Sequence, residues 1–308
     1  MRTSCHEKPG ISSRNPVLQA TCLLALSGAM VFVSGCFRRY HPEPGPYNLG
    51  VDHLDRGRYA DAVEDFRRAI EIDPEDYRAR FNLGCAYEGL GKKEAARKSY
   101  LAVLKIQEEN VPARLNLAAL AAKDGQAEAA RKLYEEATRS NPDDPRGPSS
   151  LAQFLMDAGD LKGAGTYLEE AVNRDPDHTE SHYRLGKLFE AQGQPEAAIR
   201  AYSAALDADP EDLPSLFNLG TLYLQKKDFL RAIRFLERAT VVRSDHRGAW
   251  ENLGQAYLGA DRLEDALRAA WEVRDLGEKK SEADRERLLY LYQRLLQAEQ
   301  GTARTSTR

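Results

Sequence analysis

Leucine recurs at Leu49, Leu83, Leu117, Leu151, Leu185, Leu219 and Leu253, each 34 residues after the last. A fixed period of this length constrains the fold more than any other feature of the chain. Alanine keeps the same step at Ala62, Ala96, Ala130, Ala164, Ala198, Ala232 and Ala266. The residue after each leucine is small: Gly50, Gly84, Ala118, Ala152, Gly186, Gly220 and Gly254. Four residues after the alanines stand Phe66, Tyr100, Tyr134, Leu168, Tyr202, Leu236 and, in the last copy, Ala270. Pro74, Pro142, Pro176 and Pro210 close four of the units. Seven units tile residues 43–280 without a gap: 43–76, 77–110, 111–144, 145–178, 179–212, 213–246 and 247–280.

Within a unit the apolar positions recur at three- and four-residue spacing, which predicts two amphipathic helices. In the second unit these fall near residues 78–90 and 93–106. Gly57, Gly91, Gly125, Gly159 and Gly193 are placed to end the first helix with a left-handed residue. The closing Asp-Pro or Asn-Pro ends the second. The small residue on the first helix and the recurrent alanine on the second are expected to meet where the two helices come closest. One such brick cannot bury its apolar face alone, so neighbours must stack. Residues 281–299, opening Ser281-Glu282-Ala283-Asp284 and carrying Leu288, Leu291, Tyr292 and Leu295, are expected to form a capping helix. Residues 300–308 read as a disordered tail.

The pattern resembles the tetratricopeptide repeat family. The resemblance implies an all-α fold: a right-handed α-solenoid of seven 34-residue helix–turn–helix repeats plus a C-terminal capping helix. It also implies that first helices line a concave face, with sixth positions pointing into it. Here these are Asn48, Asn82, Asn116, Ser150, Arg184, Asn218 and Asn252. Asparagine is a mediocre helix former, so its recurrence in mid-helix wants a reason. Its amide offers a donor and an acceptor to a passing peptide backbone. A similar asparagine ladder lines the repeats of the O-linked N-acetylglucosamine transferases, whose catalytic domain has no counterpart here. The alternative is that these asparagines bond only their neighbours. Fifth positions add Tyr47, Phe81, Leu115, Tyr183 and Phe217, as anchors for apolar peptide side chains or as packing between adjacent first helices. The family's carboxylate clamp for chaperone tails needs Lys at a fifth and Asn at a ninth position. The ninth positions are Val51, Cys85, Ala119, Gln153, Lys187, Thr221 and Gln255, and no fifth position holds Lys, so that specificity is rejected.

The fourth unit departs from the others. Gly147, Pro148 and Ser149 occupy its first helix, and Gly163 and Gly165 its second. By intrinsic propensity these weaken it by about 1–3 kcal/mol, so a softer joint is expected between repeats 1–3 and repeats 5–7.

The first residues look like an address. A basic start with Arg2, Lys8 and Arg14 precedes an apolar run from Val17 to Val33, then Val33-Ser34-Gly35-Cys36. This is the build of a secretory signal, and its end resembles the bacterial lipoprotein signal. That resemblance implies cleavage after residue 35, lipidation of Cys36, and repeats facing the periplasm of a bacterial envelope. The absence of Asp after Cys36 leans toward the outer membrane. The alternative is an uncleaved anchor, although the run falls short of the roughly 20 residues a spanning helix needs. Pro42, Pro44 and Pro46 make residues 36–46 a stiff linker after the lipid.

Charged residues make up 30% of the chain, with a net charge of −4 and the two signs interspersed. No basic surplus points to nucleic acid. No catalytic motif, cofactor or small-molecule site is legible. His178 and His182 are four apart but straddle two repeats, so they are not expected to bind a metal. Glu169 and Glu170 read as a solvated face, and Cys85 as packing. The expectation is a membrane-tethered scaffold that holds a peptide or protein segment in its groove. The alternative is a structural subunit of an envelope complex held by its convex face or its ends.

Overall fold

The computed structural model describes residues 45–276, 286, 290, 291, 293 and 294. The expected signal segment 1–35, Cys36 and all of the expected linker but Gly45 and Pro46 lie outside the described residues. So do residues 277–285, most of the expected capping segment, and the 300–308 tail. Among the described residues there is no strand, and no helix is long and apolar enough to cross a membrane.

Among the described residues fourteen helices follow one another in the expected couples: α1 (Pro46–Asp55) and α2 (Tyr59–Ile72), α3 (Tyr77–Gly89) and α4 (Lys93–Ile106), α5 (Val111–Lys123) and α6 (Ala127–Ser140), α7 (Arg146–Asp157) and α8 (Leu161–Arg174), α9 (Thr179–Ala191) and α10 (Pro195–Ala208), α11 (Leu213–Gln225) and α12 (Phe229–Val242), and α13 (Arg247–Gly259) and α14 (Leu263–Asp275). The fold class is an all-α solenoid of helical hairpins. The chain divides into two compact units, Met1–Gly125 and Gln126–Arg308. In the first, each helix from α1 to α5 packs on the next, and the same holds from α6 to α14 in the second.

The short segments between helices are a repeated device. Asp73, Asn141, Asp175 and Asp209 leave their helices in extended backbone. Their side-chain oxygens then accept the N–H two residues on, at Glu75, Asp143, Asp177 and Glu211, closing an Asx turn around the proline. Asp76, Asn110 and Asp212 cap the next helix through Ala79, Ala113 and Ser215. The five expected glycines adopt φ between 70° and 85°. The sixth and seventh repeats place Lys227 at φ 59° and Asp261 at φ 58° in the same left-handed site, a conformation that side chains with a Cβ adopt at a steric penalty.

The recurrent alanines, Ala62 through Ala266, are all fully buried. Their expected partnership with the small residue of the first helix is corrected by the geometry. A Cβ added to Gly84 would lie 2.5 Å from the Tyr100 ring, one on Gly186 2.4 Å from Tyr202, one on Gly50 2.7 Å from Phe66, and one on Gly220 2.6 Å from Leu236. The glycine thus makes room for the large side chain four residues beyond the alanine. Phe66, Tyr100, Tyr202 and Leu236 fill that space completely. A second small-residue seam escaped the reading of the sequence. Ala79, Ala113, Ser181, Ser215 and Ala249, at the third position of their repeats, are fully buried. Gly147 shares that register, and a Cβ there would meet the Thr138 backbone at 2.7 Å.

The fourth repeat is therefore less compromised than its composition suggests. Pro148 is the third residue of α7, and the Pro145 carbonyl is first taken by the Ser149 N–H. A proline in the first turn removes no helical bond. Gly147 is a close approach, and the Gly163 N–H is held by the Asp160 cap at 2.8 Å. Only Gly165 sits in a helix interior with no tight contact. The division between units falls at Gly125–Gln126, inside the third repeat, and not at the fourth.

Leu291 is 2% exposed and joins the apolar cluster of α10–α14, while Leu288, Tyr292 and Leu295 lie outside the described residues.

Candidate functional site

The sixth positions do not stand free. In the first unit the Asn82 amide donates to the Tyr47 hydroxyl at 3.3 Å, and the Asn116 amide to the Cys85 sulfur at 4.0 Å. In the second, Asn218 donates to the Tyr202 hydroxyl at 3.2 Å and Asn252 to Thr221 at 2.9 Å. Each bond runs to the preceding repeat, so the asparagines are stitches between neighbours and not bonds along their own helix. Arg184 follows the same rule with a longer reach: its guanidinium donates to Ser149 at 2.7 Å and pairs with Glu180 at 2.9 Å. Asn48, in the first repeat, is exposed.

Two of these amides are oriented by their neighbours: the Thr221 hydroxyl gives its only proton to the Phe217 carbonyl at 2.8 Å, so it must accept from Asn252. The Tyr202 hydroxyl gives its only proton to Glu190, so it must accept from Asn218, which turns the asparagine oxygen away. Among the described residues the amide oxygens of Asn82, Asn116, Asn218 and Asn252 accept no hydrogen bond. Each retains an acceptor on the first-helix face, held in place by an engaged donor. Asn82 and Asn116 are 6% and 5% exposed, so a ligand reaching them must come close to the backbone of α3 and α5.

Of the fifth-position aromatics, Tyr47, Phe81 and Tyr183 pack within their own repeat, and Tyr47 and Phe217 meet the next first helix, as the packing alternative expects. Tyr47 lies edge-on to Phe66 at 6.1 Å, Phe81 against Tyr100 at 5.6 Å, and Tyr183 against Tyr202 at 5.9 Å. These ring partners are on the second helix of the same repeat. Phe81 is buried and offers no anchor. Tyr47 carries the Arg78 guanidinium over its ring at 5.5 Å, and Phe217 meets the His246 ring at 5.0 Å. Tyr47, Tyr183 and Phe217 keep a partly open edge, as does Leu115.

Each unit also holds a buried tyrosine bonded to a carboxylate, which the sequence reading missed. Tyr100 donates to Glu88 at 2.8 Å, and Tyr202 to Glu190. Burial pushes both phenols well above their ordinary pKa, and the adjacent carboxylate adds to the shift. Both stay neutral donors across the accessible pH range. The signal was present: repeats two and five alone combine Gly at the eighth position, Glu at the twelfth and Tyr at the twenty-fourth. The third repeat has Tyr134 but Ala118 and Ala122 at the other two places, and Tyr134 is only partly buried, its ring 5.3 Å from Phe154.

His178 and His182 engage separate partners. The His178 Nδ1 lies 2.6 Å from the Ser181 hydroxyl, and the His182 Nε2 donates to the Pro176 carbonyl at 2.7 Å. No group of ligands for a metal ion occurs among the described residues. A shallow depression between the α6–α7 and α8–α9 turns is lined by Asn141, Asp144, Arg146, Asp175 and His178. Its polar groups are committed to the fold. Arg146 holds Asp144, and Arg174 bonds the carbonyls of Thr138, Asn141 and Asp144. Cys85 is buried at 3% exposure, as packing requires.

Comparison with known proteins follows the same lines. One model described as a tetratricopeptide repeat matches residues 47–112, 83–145 and 115–179, and a second matches 155–222 and 189–250. Among solved structures the chain is similar to one in the APC/C hetero-tetramer Cut9-Hcn1, at 17% identity and a TM-score of 0.59, over 79% of this chain and 48% of that one. It is similar to yeast Tom70 at 15% identity and a TM-score of 0.58, over 85% and 66% of the two chains. A repeat protein from Parabacteroides merdae aligns at 18% identity and a TM-score of 0.50, over 80% and 97%. The chain spans about half the length of the first of these, and at such identities the likeness is one of fold. No curated protein matches.

Proposed function

Because this chain belongs to the tetratricopeptide repeat family, whose arrays serve as protein-interaction scaffolds, we propose that its first-helix faces take an extended segment of a partner protein. The observation that carries this reading is the set of asparagines. Four amides are pinned by their donors to the preceding repeat, and each leaves an oxygen unclaimed. An extended peptide presents an N–H on the same side at every second residue, and each unit offers two fixed acceptors to such groups, Asn82 and Asn116 in the first and Asn218 and Asn252 in the second. The partly open edges of Tyr183 and Phe217, and the small ninth-position residues Ala119 and Thr221, leave space beside the acceptors for side chains.

The setting we propose is the bacterial envelope, where the segment before residue 45 tethers the array to a membrane through a lipid on Cys36. That part rests on the Val33-Ser34-Gly35-Cys36 ending and the apolar run before it. There the scaffold would serve the assembly of a larger complex such as pilus, secretin or cell-wall machinery.

Site-directed photo-cross-linking in cells tests the face. A cross-linker at Ala119, Thr221 or Gln255 should form adducts with a protein partner, and one at Lys98 or Lys132, on the outer face of second helices, should not. Adducts only from the outer positions would favour a subunit held by its convex surface. Labelling with a radioactive fatty acid, lost in Cys36→Ala, tests the tether separately.

A further inference from the structure

The second helices turn one side to solvent, and two positions of that side are polar or small in six repeats. The first position holds Ala60, Glu94, Glu128, Lys162, Glu196 and Glu264, and the second Glu71, Lys105, Arg139, Asn173, Asp207 and Asp275. In the sixth repeat both are apolar. Leu230 and Val241 on α12 are 75% and 84% exposed, the most exposed large apolar side chains among the described residues. They are eleven residues apart, three helical turns, so they share one face about 16 Å apart. Arg234 and Glu237 fall between them on the same stripe, at the i, i+4, i+7, i+11 spacing of a helix–helix seam; Glu237 is exposed, with one carboxylate oxygen accepting the Tyr257 hydroxyl at 2.5 Å. Arg234 is exposed and lies over the Phe235 ring at 5.8 Å, with no carboxylate partner among the described residues.

This stripe is complementary to itself when reversed. Two α12 helices laid antiparallel about a two-fold axis bring Leu230 against Val241 of the other copy, and Arg234 against its Glu237, each pairing occurring twice. An isologous contact requires this reciprocity. An acidic partner would match Arg234 but clash with Glu237, whereas a second copy of this chain matches both charges at once. We infer that α12 is a self-association surface through which two copies of this protein form an antiparallel dimer. One helix face buries far less than the roughly 1,200 Å² of a stable interface, so the dimer is weak and concentration-dependent. The inference is independent of the peptide-binding reading, because α12 carries none of the asparagines or their bonding partners.

Sedimentation equilibrium of the full repeat-bearing chain over a range of concentrations tests it. The unaltered protein should show a reversible monomer–dimer equilibrium. Leu230→Glu or Val241→Glu should weaken dimerisation at least ~10-fold, because a desolvated charge then faces an apolar side chain. Arg234→Glu alone places like charges opposite each other twice and should weaken it by at least ~10-fold as well. The double reversal Arg234→Glu/Glu237→Arg should dimerise several-fold more tightly than Arg234→Glu, since each new charge again meets its opposite, though the Tyr257 bond to Glu237 is lost. Lys98→Glu and Lys132→Glu, in the corresponding register of α4 and α6, should change nothing. Circular dichroism confirms that each variant is folded. A monomer at every concentration up to ~0.5 mM, where even a weak contact registers, overturns the inference. So does a dimer indifferent to Leu230→Glu, or a folded double variant that stays as monomeric as Arg234→Glu.

Discussion

Replacing Gly186 by alanine should destabilise the protein even though alanine is the better helix former. An added Cβ would stand 2.4 Å from a ring carbon of Tyr202, where carbon atoms ordinarily rest about 3.5–4 Å apart. The ring must recede by about 1 Å, yet it is fully buried and its hydroxyl is tied to Glu190 and Asn218. Overpacking of this kind costs about 1–3 kcal/mol, and loosening the two hydroxyl bonds about 0.5–1.5 kcal/mol each. Against this stands the gain of roughly 1 kcal/mol from replacing a helical glycine. The balance is a loss of about 1–5 kcal/mol, or some 2–4 °C of melting temperature per kcal/mol for a chain of this size. A double-mutant cycle isolates the cause. In a Tyr202→Ala background the clash is gone, and Gly186→Ala should become neutral or stabilising by up to ~1 kcal/mol. Urea unfolding followed by circular dichroism on the four proteins gives the coupling. A Gly186→Ala protein as stable as the original, or an equal loss in both backgrounds, would refute the claim that the glycine exists to admit the ring.

Three further outcomes follow from neighbouring features. Gly147→Ala should be worse than Gly186→Ala, by about 1 kcal/mol or more, because its Cβ meets the Thr138 backbone, which yields less than a side chain; the same unfolding assay reads it. Lys227→Gly and Asp261→Gly should be neutral or stabilising by up to ~1 kcal/mol, while Gly91→Ala should destabilise by a similar amount, since all three sites require positive φ; equal effects of either sign at all three would count against the strain. Burial depresses the His178 pKa, with Asp175 and Asp144 opposing and Arg184 and Arg146 assisting, so the unfolded chain binds that proton more readily. Its contribution is complete above the ordinary value near 6.5 and is lost as pH falls from there through the folded value. Melting temperature should therefore drop between about pH 7 and pH 5, and drop less in His178→Asn; a pH profile unchanged by the substitution would contradict this.

Repetition made most of the architecture readable. Seven copies of one pattern fix helix number, helix order and the left-handed turns at Gly57 through Gly193, because each copy corroborates the others. Partnership between residues was harder to read. The glycine at the eighth position was matched to the alanine of the second helix, but the space it opens is filled by Tyr202 or its counterpart, whose long side chain reaches a place its sequence register does not suggest. Pro148 and Gly147 looked like helix breakers by propensity. In the structure one sits in a first turn, where no bond is lost, and the other in a backbone contact that only glycine permits. The asparagines stand out by their recurrence, but spacing along one helix does not say that their amides reach into the preceding repeat. The α12 stripe is invisible to a search for what repeats, since it is a departure confined to one copy.

The most direct test of the scaffold reading is titration of a bound peptide against the acceptors themselves. Peptides selected from a random library on the intact chain would be titrated against the protein with Asn82, Asn116, Asn218 and Asn252 changed to alanine, each variant checked for an unaltered circular dichroism spectrum. The account predicts that affinity falls by at least ~10-fold when the four oxygens are removed. Unchanged affinity in a folded quadruple variant would contradict it and place recognition on another surface.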